Sequence, residues 1–595
     1  MIKFTTIILV LSLISCFNNV VRTASPPSMN VSPSVLAKSN DIITINWAGL
    51  NATANDLLAI YSPSTASVTH PNGFIALKTY PNWKSGVGQL SVPILNVRED
   101  YIFRIWTPAS ANATGPVLTG IIPNVTLTVA ATSSAVTFTN PNAPGKSYIS
   151  LTNNTSEMRL MYVSGTNSTP TVYYDTQPTN MRYSATGSSI TYSITDMCAS
   201  PANSTNYFRS PGYTHDIVMT NLLPGTTYYY YFGSEVDGYS DVQTFQSVPD
   251  YSVSPKEAFV VCFGDLGTNF PFTATVETQY SSTQTVAGIL GTVQVPANKS
   301  PMLKAAGVQP TLEGETLPPF WITHHVGDIS YARGKAFVWD YYLDTMEPIT
   351  SSVPYMLTIG NHEYDYIGQP FAPSYSNYGS DSGGECGVPF AKRFHMPGDE
   401  QSPNRNNWFS YNNGPVHFTV MSAEHDFLPG SEQFEWLVND LASVDRTDTP
   451  WIVFSGHRPM YVSAFPGNEL GLTTALLESI EPLFVKYDVN VALWGHVHVY
   501  ERTCGMFNFT CADSDNDATV HVVIGNAGNS YSVPWNANDL NSQGDGHEEQ
   551  PDWSIFRGIN YGFSRFYANT TNLYFEFVGN HRYQVHDSFW LTSKY

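Results

Sequence analysis

Short runs of β-branched and aromatic residues, set apart by Pro, Asn and Gly, fill the first quarter of the chain. Ile42-Ile43-Thr44-Ile45-Asn46-Trp47 and Tyr101-Ile102-Phe103-Arg104-Ile105-Trp106 are two of them, and they predict a β-sandwich over residues 25–143. The Pro141-Asn142-Ala143-Pro144-Gly145 break opens a second region of the same kind, 144–250, with strands expected near 147–152, 158–163, 214–220 and 226–232. Within it, Tyr228-Tyr229-Tyr230-Tyr231 reads as a strand with two packed faces. After Val248-Pro249-Asp250 the pattern changes.

From residue 256 to 595, apolar strands alternate with helical periodicity, as a layered α/β domain requires. Strands are expected at 258–263, 320–326, 354–359, 451–454 and 489–494, each apolar enough to be buried in a sheet. Ser431 can cap a helix carrying Phe434, Leu437, Val438 and Leu441. Leu476, Leu477, Ile480 and Phe484 repeat the spacing, with a kink expected at Pro482. Strand character resumes at Val520–Ile524 and Leu573–Phe577, so segment 520–595 is expected to close the catalytic sheet.

At 595 residues the chain exceeds one core, and 42% hydrophobic with only 13% charged residues suits β-rich globular domains. A formal net charge of −22 argues against nucleic acid or an anionic membrane as partner. An anionic substrate must then be captured by a local positive field, which metal cations can supply. Residues 1–24, with Lys3 ahead of the apolar Ile7–Ile14 run, form a secretory leader too short in its apolar part to span a bilayer. Neither a later membrane span nor a C-terminal anchor is expected. The chain is expected to be secreted, or delivered to a lysosome or vacuole by the same route.

Sequons at Asn30, Asn51, Asn112, Asn124, Asn153, Asn154, Asn167, Asn203, Asn298, Asn508 and Asn569 agree with that route and place those segments at the surface. Without Cys16 of the leader, five cysteines remain. Cys504 and Cys511 would close a short loop, Cys262 reads as a buried thiol inside an apolar strand, and Cys198 and Cys386 would then pair across distant segments.

The chemistry lies at the ends of the five apolar strands: Asp265 in FGDLG, Asp328 and Tyr331 in VGDISYA, Asn361 and His362 in IGNHE, His457 in SGHRP, and His496 and His498 in WGHVH. Residues trailing from buried strands are aimed by a rigid scaffold. The glycines beside them, Gly264, Gly327, Gly360, Gly456 and Gly495, allow sharp turns and close approach. Carboxylates and a phenolate suit a hard trivalent ion, imidazoles a divalent transition metal, and Asp328 is the natural bridge between two ions.

In this order and spacing, and with Glu501-Arg502 after WGHVH, these motifs resemble the purple acid phosphatases, binuclear metallophosphoesterases, in their high-molecular-weight plant-type form. The resemblance covers the chain from about residue 145 onward. It implies a fibronectin III-like domain ahead of a metallophosphoesterase domain, Fe(III) held by Asp265, Asp328, Tyr331 and His498, and a divalent ion (Zn, Mn or Fe) held by Asp328, Asn361, His457 and His496. The implied activity is that of an acid phosphatase, with hydroxide on the metals attacking small phosphate monoesters. Asn361 and His362 would contact the phosphate, and His362 would protonate the leaving oxygen. The sequence departs from some plant members after His457, where it reads Arg458-Pro459-Met460-Tyr461, and Arg458 is expected to contact phosphate.

Blander roles suit other polar residues. His324 and His325 read as structural, Glu424-His425-Asp426 as ordering a loop, and Glu363 as a support for its neighbours. Two further readings stay open: a phosphodiesterase or nucleotide pyrophosphatase on the same scaffold, and an inactive extracellular binding protein built on the β-domains. A homodimer is left open as well.

Overall fold

A computed structural model of the chain describes residues 26–595 apart from 111–114, 120, 270–272, 275–280, 294–319, 377, 399–401, 403, 405, 465–469 and 531–549. The leader and the sequons at Asn112 and Asn298 lie outside the described residues.

Alternation builds the N-terminal sandwich. In Asp41–Ala48, Ile43, Ile45 and Trp47 turn inward at 3% exposure or less, and the strand pairs antiparallel with Ser28–Ser32 and Gly88–Ile94. The facing sheet orders Gly73–Ala76, Leu57–Tyr61, Ile102–Pro108 and Leu127–Thr132, and its edge also takes Thr273–Ala274, a segment from beyond the second sandwich. In the second sandwich, Gly145–Ser150, Met158–Ser164 and Tyr213–Met219 share one sheet, Thr171–Asp175 and Thr227–Ser234 the other. The tyrosine run falls on Thr227–Ser234: Tyr228 and Tyr230 are buried, and half-buried Tyr231 stacks on Tyr173 at 5.1 Å.

Next comes an α/β sandwich of two sheets. Strands β1 (Glu257–Phe263), β2 (Ile322–Val326) and β3 (Tyr355–Thr358) run parallel in a six-stranded sheet ordered β3-β2-β1, then Gly562–Asn569, Asn572–Gly579 and Gln584–Thr592. Strands β4 (Trp451–Ser455) and β5 (Val491–Trp494) lie in the centre of an eight-stranded sheet. The five ligand-bearing strands are therefore split between two sheets, not gathered on one. The C-terminal segment is split too: Thr519–Ile524 pairs with β5, while Gly562–Asn569 pairs with β1. It therefore contributes strands to both layers.

Between the two sheets, His324 Nε2 meets Ser455 Oγ at 2.8 Å and its Nδ1 meets the Tyr411 hydroxyl at 3.0 Å; on the opposite face of its strand, His325 Nδ1 meets the hydroxyls of Tyr355 at 2.7 Å and Tyr342 at 3.1 Å. Both histidines join strands in the core. Ser431 caps Glu432–Ser443 by accepting from the Phe434 amide, a contact worth about 1 kcal/mol. Pro482 does not kink a helix: Leu470–Ser479 ends, and Glu481–Tyr487 begins with that proline in its first turn, where no N–H is needed.

Disulfides join Cys198 to Cys386 and Cys504 to Cys511, while Cys262 is free and buried, its thiol pushed up by burial. The described sequons are exposed except Asn569, which is half-buried. Among the described residues no helix is long and apolar enough to cross a membrane.

Candidate metal centre

The loops after β1 to β5 meet between the two sheets, and the backbone there is held in an uncommon conformation. Asp265, Asp328, Tyr331 and His496 have φ of 59°, 50°, 54° and 66°. A left-handed backbone costs an L-residue about 1–2 kcal/mol, so four together at one point require compensation. Bonds across the loops supply it. Asp265 N donates to Gly327 O, and Asp265 Oδ2 accepts from His496 N at 2.9 Å. Buried Glu363 accepts from the amides of Asp328, Ile329 and Gly360 at 2.8–3.1 Å, tying the β2 loop to the β3 loop. Of the adjacent glycines, Gly327 is itself left-handed, and at Gly360 a Cβ would fall 2.3 Å from Asp328 Oδ1. Gly264 meets nothing closer than 3.4 Å, so that position is not forced by space.

All seven candidate ligands converge. The Tyr331 hydroxyl lies 2.9 Å from Asp265 Oδ1, 3.2 Å from Asp328 Oδ2 and 3.0 Å from His498 Nε2. Asn361 Oδ1 lies 2.9 Å from His457 Nε2 and 2.8 Å from His496 Nδ1, and His457 Nε2 is 3.2 Å from Asp328 Oδ1. Two sets of donor atoms, Asp328/His457/His496 and Asp265/Asp328/His498, are each close enough to hold one ion, and Asp328 belongs to both.

Outer hydrogen bonds fix which atoms face inward. His457 Nδ1–H donates to Val326 O at 2.8 Å and His498 Nδ1–H to Ser530 O, leaving both Nε2 lone pairs on the centre. Asn361 Nδ2 donates to Asp381 Oδ2 at 2.9 Å, which turns its oxygen inward. Lone pairs thus confront lone pairs and carboxylates, an arrangement that calls for positive charge between them. The same demand shows in His457: burial pulls its imidazolium down, yet the charge and hydrogen bond of Asp328, with Asp265, overcome this and raise it to about 10. Burial and the nearby carboxylates push the Tyr331 phenol well up, so a cation is needed for it to ionise. The donor set fits two metal ions.

His362 sits at the rim. Its Nδ1–H donates to Asp381 O at 2.9 Å, its Nε2 is 3.8 Å from Asp328 Oδ2, and its ring lies 4.5 Å from that of Tyr331. Burial lowers its imidazolium, against Asp328, which raises it. Arg458 is 1% exposed. Its Nε donates to Glu424 Oε1 at 2.6 Å, its face lies 4.7 Å from the Tyr378 ring, and Nη1 stands 3.5 Å from His496 Nε2. The planar fork expected for phosphate is engaged by Glu424, so that carboxylate does more than order its loop.

Asp381 and Asn529 escape the sequence reading. Asp381 orients both Asn361 and His362; Asn529 Nδ2 lies 3.4 Å from His498 Nε2, and its backbone N donates to Asp265 O. Neither had a legible signal: Ile524-Gly525-Asn526 follows an apolar strand as Ile359-Gly360-Asn361 does, but that echo marks Asn526, whose Nδ2 donates to Asn560 O, and not Asn529; Asp381 lies in a Ser/Gly loop.

Two α/β layers whose strand-end loops gather a His/Asp cluster for two metals define a metallophosphoesterase. Comparison with known proteins narrows the class. The family models for the purple acid phosphatase N-terminal domain, calcineurin-like phosphoesterase and iron/zinc purple acid phosphatase-like protein C match residues 144–247, 312–500 and 518–588. "Probable inactive purple acid phosphatase 9" of Arabidopsis thaliana is 37% identical over 582 residues, 95% of this chain and 85% of that protein. A nucleotide pyrophosphatase/phosphodiesterase of Hordeum vulgare is 32% identical over 295 residues, 47% of this chain and 74% of that protein. The solved structure of purple acid phosphatase PPD1 from yellow lupin seeds superposes with a TM-score of 0.78 at 27% identity, covering 96% of both chains. The chain belongs to the purple acid phosphatase family.

Proposed function

We propose that the chain is a working phosphatase that hydrolyses phosphate monoesters at a binuclear Fe(III)–M(II) centre, M being Zn, Mn or Fe. Asp265, Tyr331 and His498 would hold the ferric ion, Asn361, His457 and His496 the divalent ion, and Asp328 both. The observation that carries the reading is the inward confrontation of lone pairs at His457 Nε2, Asn361 Oδ1 and Asp328 Oδ1. When bound, the ions would neutralise the phosphate oxygens and lower the pKa of water into the working range.

The chain's own groups do the rest. With Nδ1–H fixed on Asp381 O, His362 keeps its Nε2 available at the rim to hold a proton for the departing oxygen. Asn361 would orient the phosphate as well as the metal. Arg458, engaged by Glu424, acts through His496 and needs no direct contact with phosphate.

Some relatives carry names marking them inactive. Against that reading here, each of the seven donor positions is filled by a usable donor and the outer hydrogen bonds that orient them are made. The barley relative's name favours a second reading, hydrolysis of a diester or pyrophosphate bond. Secretion of a glycosylated, disulfide-bonded protein accords with both disulfides. The test is elemental analysis with a visible spectrum, alongside turnover of aryl monoester, aryl diester and nucleotide substrates. Iron and a second metal in about equal amounts, a visible band lost in Tyr331→Phe, and preference for the monoester are expected. Metal-free protein with no hydrolysis would overturn the proposal.

A further inference from the structure

The hairpin beyond the last histidine motif has a feature that the metal chemistry leaves unused. Tyr500–Phe507 turns into Thr510–Cys511 through two residues, Asn508 and Phe509, at φ of 44° and 59°. Two consecutive left-handed residues make the tight turn that matches strand twist; Asn tolerates this, whereas Phe adopts it only if held. Phe509 is held: its ring meets Tyr461 edge-on at 5.1 Å and lies 6.2 Å from Trp553. The Asn508 amide N–H donates to Glu481 Oε1 at 3.1 Å.

Phe507 differs in its ring contacts: it is 47% exposed, much as Phe509 is at 49%, but among the described residues no other ring packs on it. It pairs directly with Thr510 across the hairpin, so the two side chains stand on one face. Asn508-Phe509-Thr510 is a sequon, Asn508 is exposed, and no partner holds its side-chain amide among the described residues. By contrast, Asn153 Nδ2 donates to Gly398 O and Asn154 Nδ2 to Glu157 Oε1. Of all the sequons, Asn508 alone directly follows an aromatic residue.

The geometry points to Asn508 as a glycosylation site whose first sugar is part of the fold, lying over the Phe507 ring beside Thr510. A pyranose presents a face of C–H bonds made electropositive by the ring oxygens, and the face of a phenyl ring is negative, so the two attract while apolar area leaves water. The modification transfers an oligosaccharide from a polyprenyl-diphosphate-linked donor. A C–N bond forms at Asn508 Nδ2 as the anomeric C–O bond to phosphate breaks, the amide gives up a proton, and the lipid diphosphate departs. The glycan would then brace the hairpin that supports Tyr461, in the loop following His457. This inference does not depend on which metals bind.

The test is the full chain secreted from a eukaryotic host, with glycopeptide mass spectrometry at Asn508 and four proteins compared: wild type, Asn508→Gln, Phe507→Ala and the double variant. Both positions are exposed, so all four should fold. High occupancy is expected, with Asn508→Gln lowering Tm by on the order of 2 °C more when Phe507 is present than when it is Ala. The backbone cost of Gln in the turn is common to both backgrounds and cancels. In unglycosylated protein from a bacterial host this difference should vanish. An unmodified Asn508, an equal loss in both backgrounds, or a difference that persists without glycan would each overturn the inference.

Discussion

Arg98 of the N-terminal sandwich grips Asp340 of helix α1 (Phe337–Thr350) in the α/β sandwich with both prongs of its guanidinium, Nη1 to Oδ1 at 3.0 Å and Nη2 to Oδ2 at 2.7 Å. The side chains are 8% and 2% exposed, and Nη2 also donates to Ser210 O of the second sandwich. Three modules therefore meet at one buried ion pair, on a helix that begins shortly after Tyr331. Beside it, Asn40 donates to both oxygens of Asp344.

Breaking such a pair leaves a charge uncompensated in the interior. Arg98→Ala should cost the full chain about 3 kcal/mol, the lower end for a buried pair, because Lys146 still faces Asp340. Denaturant unfolding measures it. A loss under about 1 kcal/mol would mean that the N-terminal sandwich is an appended spacer and not part of the catalytic body.

Asp328 is common to both sets of donor atoms, whereas His496 and His498 each serve one. Asp328→Asn should therefore deplete both metals, and His496→Ala one of them. Turnover of an aryl phosphate should fall at least about 10²-fold in either variant. Metal-to-protein ratios by elemental analysis decide the point, and a variant at Asp328 that retains two equivalents would refute the shared-ligand assignment.

Much of this architecture was legible because buried parallel strands write themselves as unbroken apolar runs, and the residues just past them are where a scaffold aims its chemistry. Tyr331 and Asp328 could be read that way. The partition of the strands could not: Val520–Ile524 and Leu573–Phe577 look alike, yet they close different sheets, a choice made by packing and not by local pattern. Asp381 and Glu424 were obscure for a related reason. Their roles come from side-chain contacts across 20 and 34 residues, which leave no periodicity in the chain.

Buried neutral histidines set an acid limit. Burial pushes His324 and His521 down to about 3 and His425 to about 4, while the unfolded chain binds their protons from about pH 6.5 downward. A depressed folded value gives stability that is present above the unfolded pKa and lost as pH falls. Asp344, raised to about 6 by burial, acts oppositely and favours folding as pH drops through that value. His521 accepts from Trp494 Nε1 at 3.1 Å, so His521→Asn should destabilise at neutral pH. That cost should shrink by on the order of 1.4 kcal/mol per unit below pH 6.5. Denaturation of both proteins from pH 7 to pH 4 gives the comparison; a constant difference would show that His521 is not titrating between the two states.

Glu424 and Arg458 offer the sharpest test of how the protein governs its second metal. Glu424 is 0% exposed and takes the guanidinium's Nε at 2.6 Å, while Nη1 lies 3.5 Å from His496 Nε2, on the side of the ring opposite the Nδ1 that faces Asn361. A cation so near a ligating imidazole draws electron density from it and repels a dication; the carboxylate offsets both effects. Glu424→Gln keeps the shape and removes the offset. Affinity at the Asp328/His457/His496 position should fall 10–100-fold, as for other losses of outer support, while the Asp265/Asp328/His498 position keeps its ion. Replacing Arg458 by Met in the same protein removes the excess charge and should restore much of the lost affinity, which a merely structural role for the pair would not. Calorimetric titration of the divalent metal into the protein, with circular dichroism to confirm folding, reads the cycle; a Glu424→Gln protein with undiminished affinity, or a double variant no better than the single, would rule the coupling out.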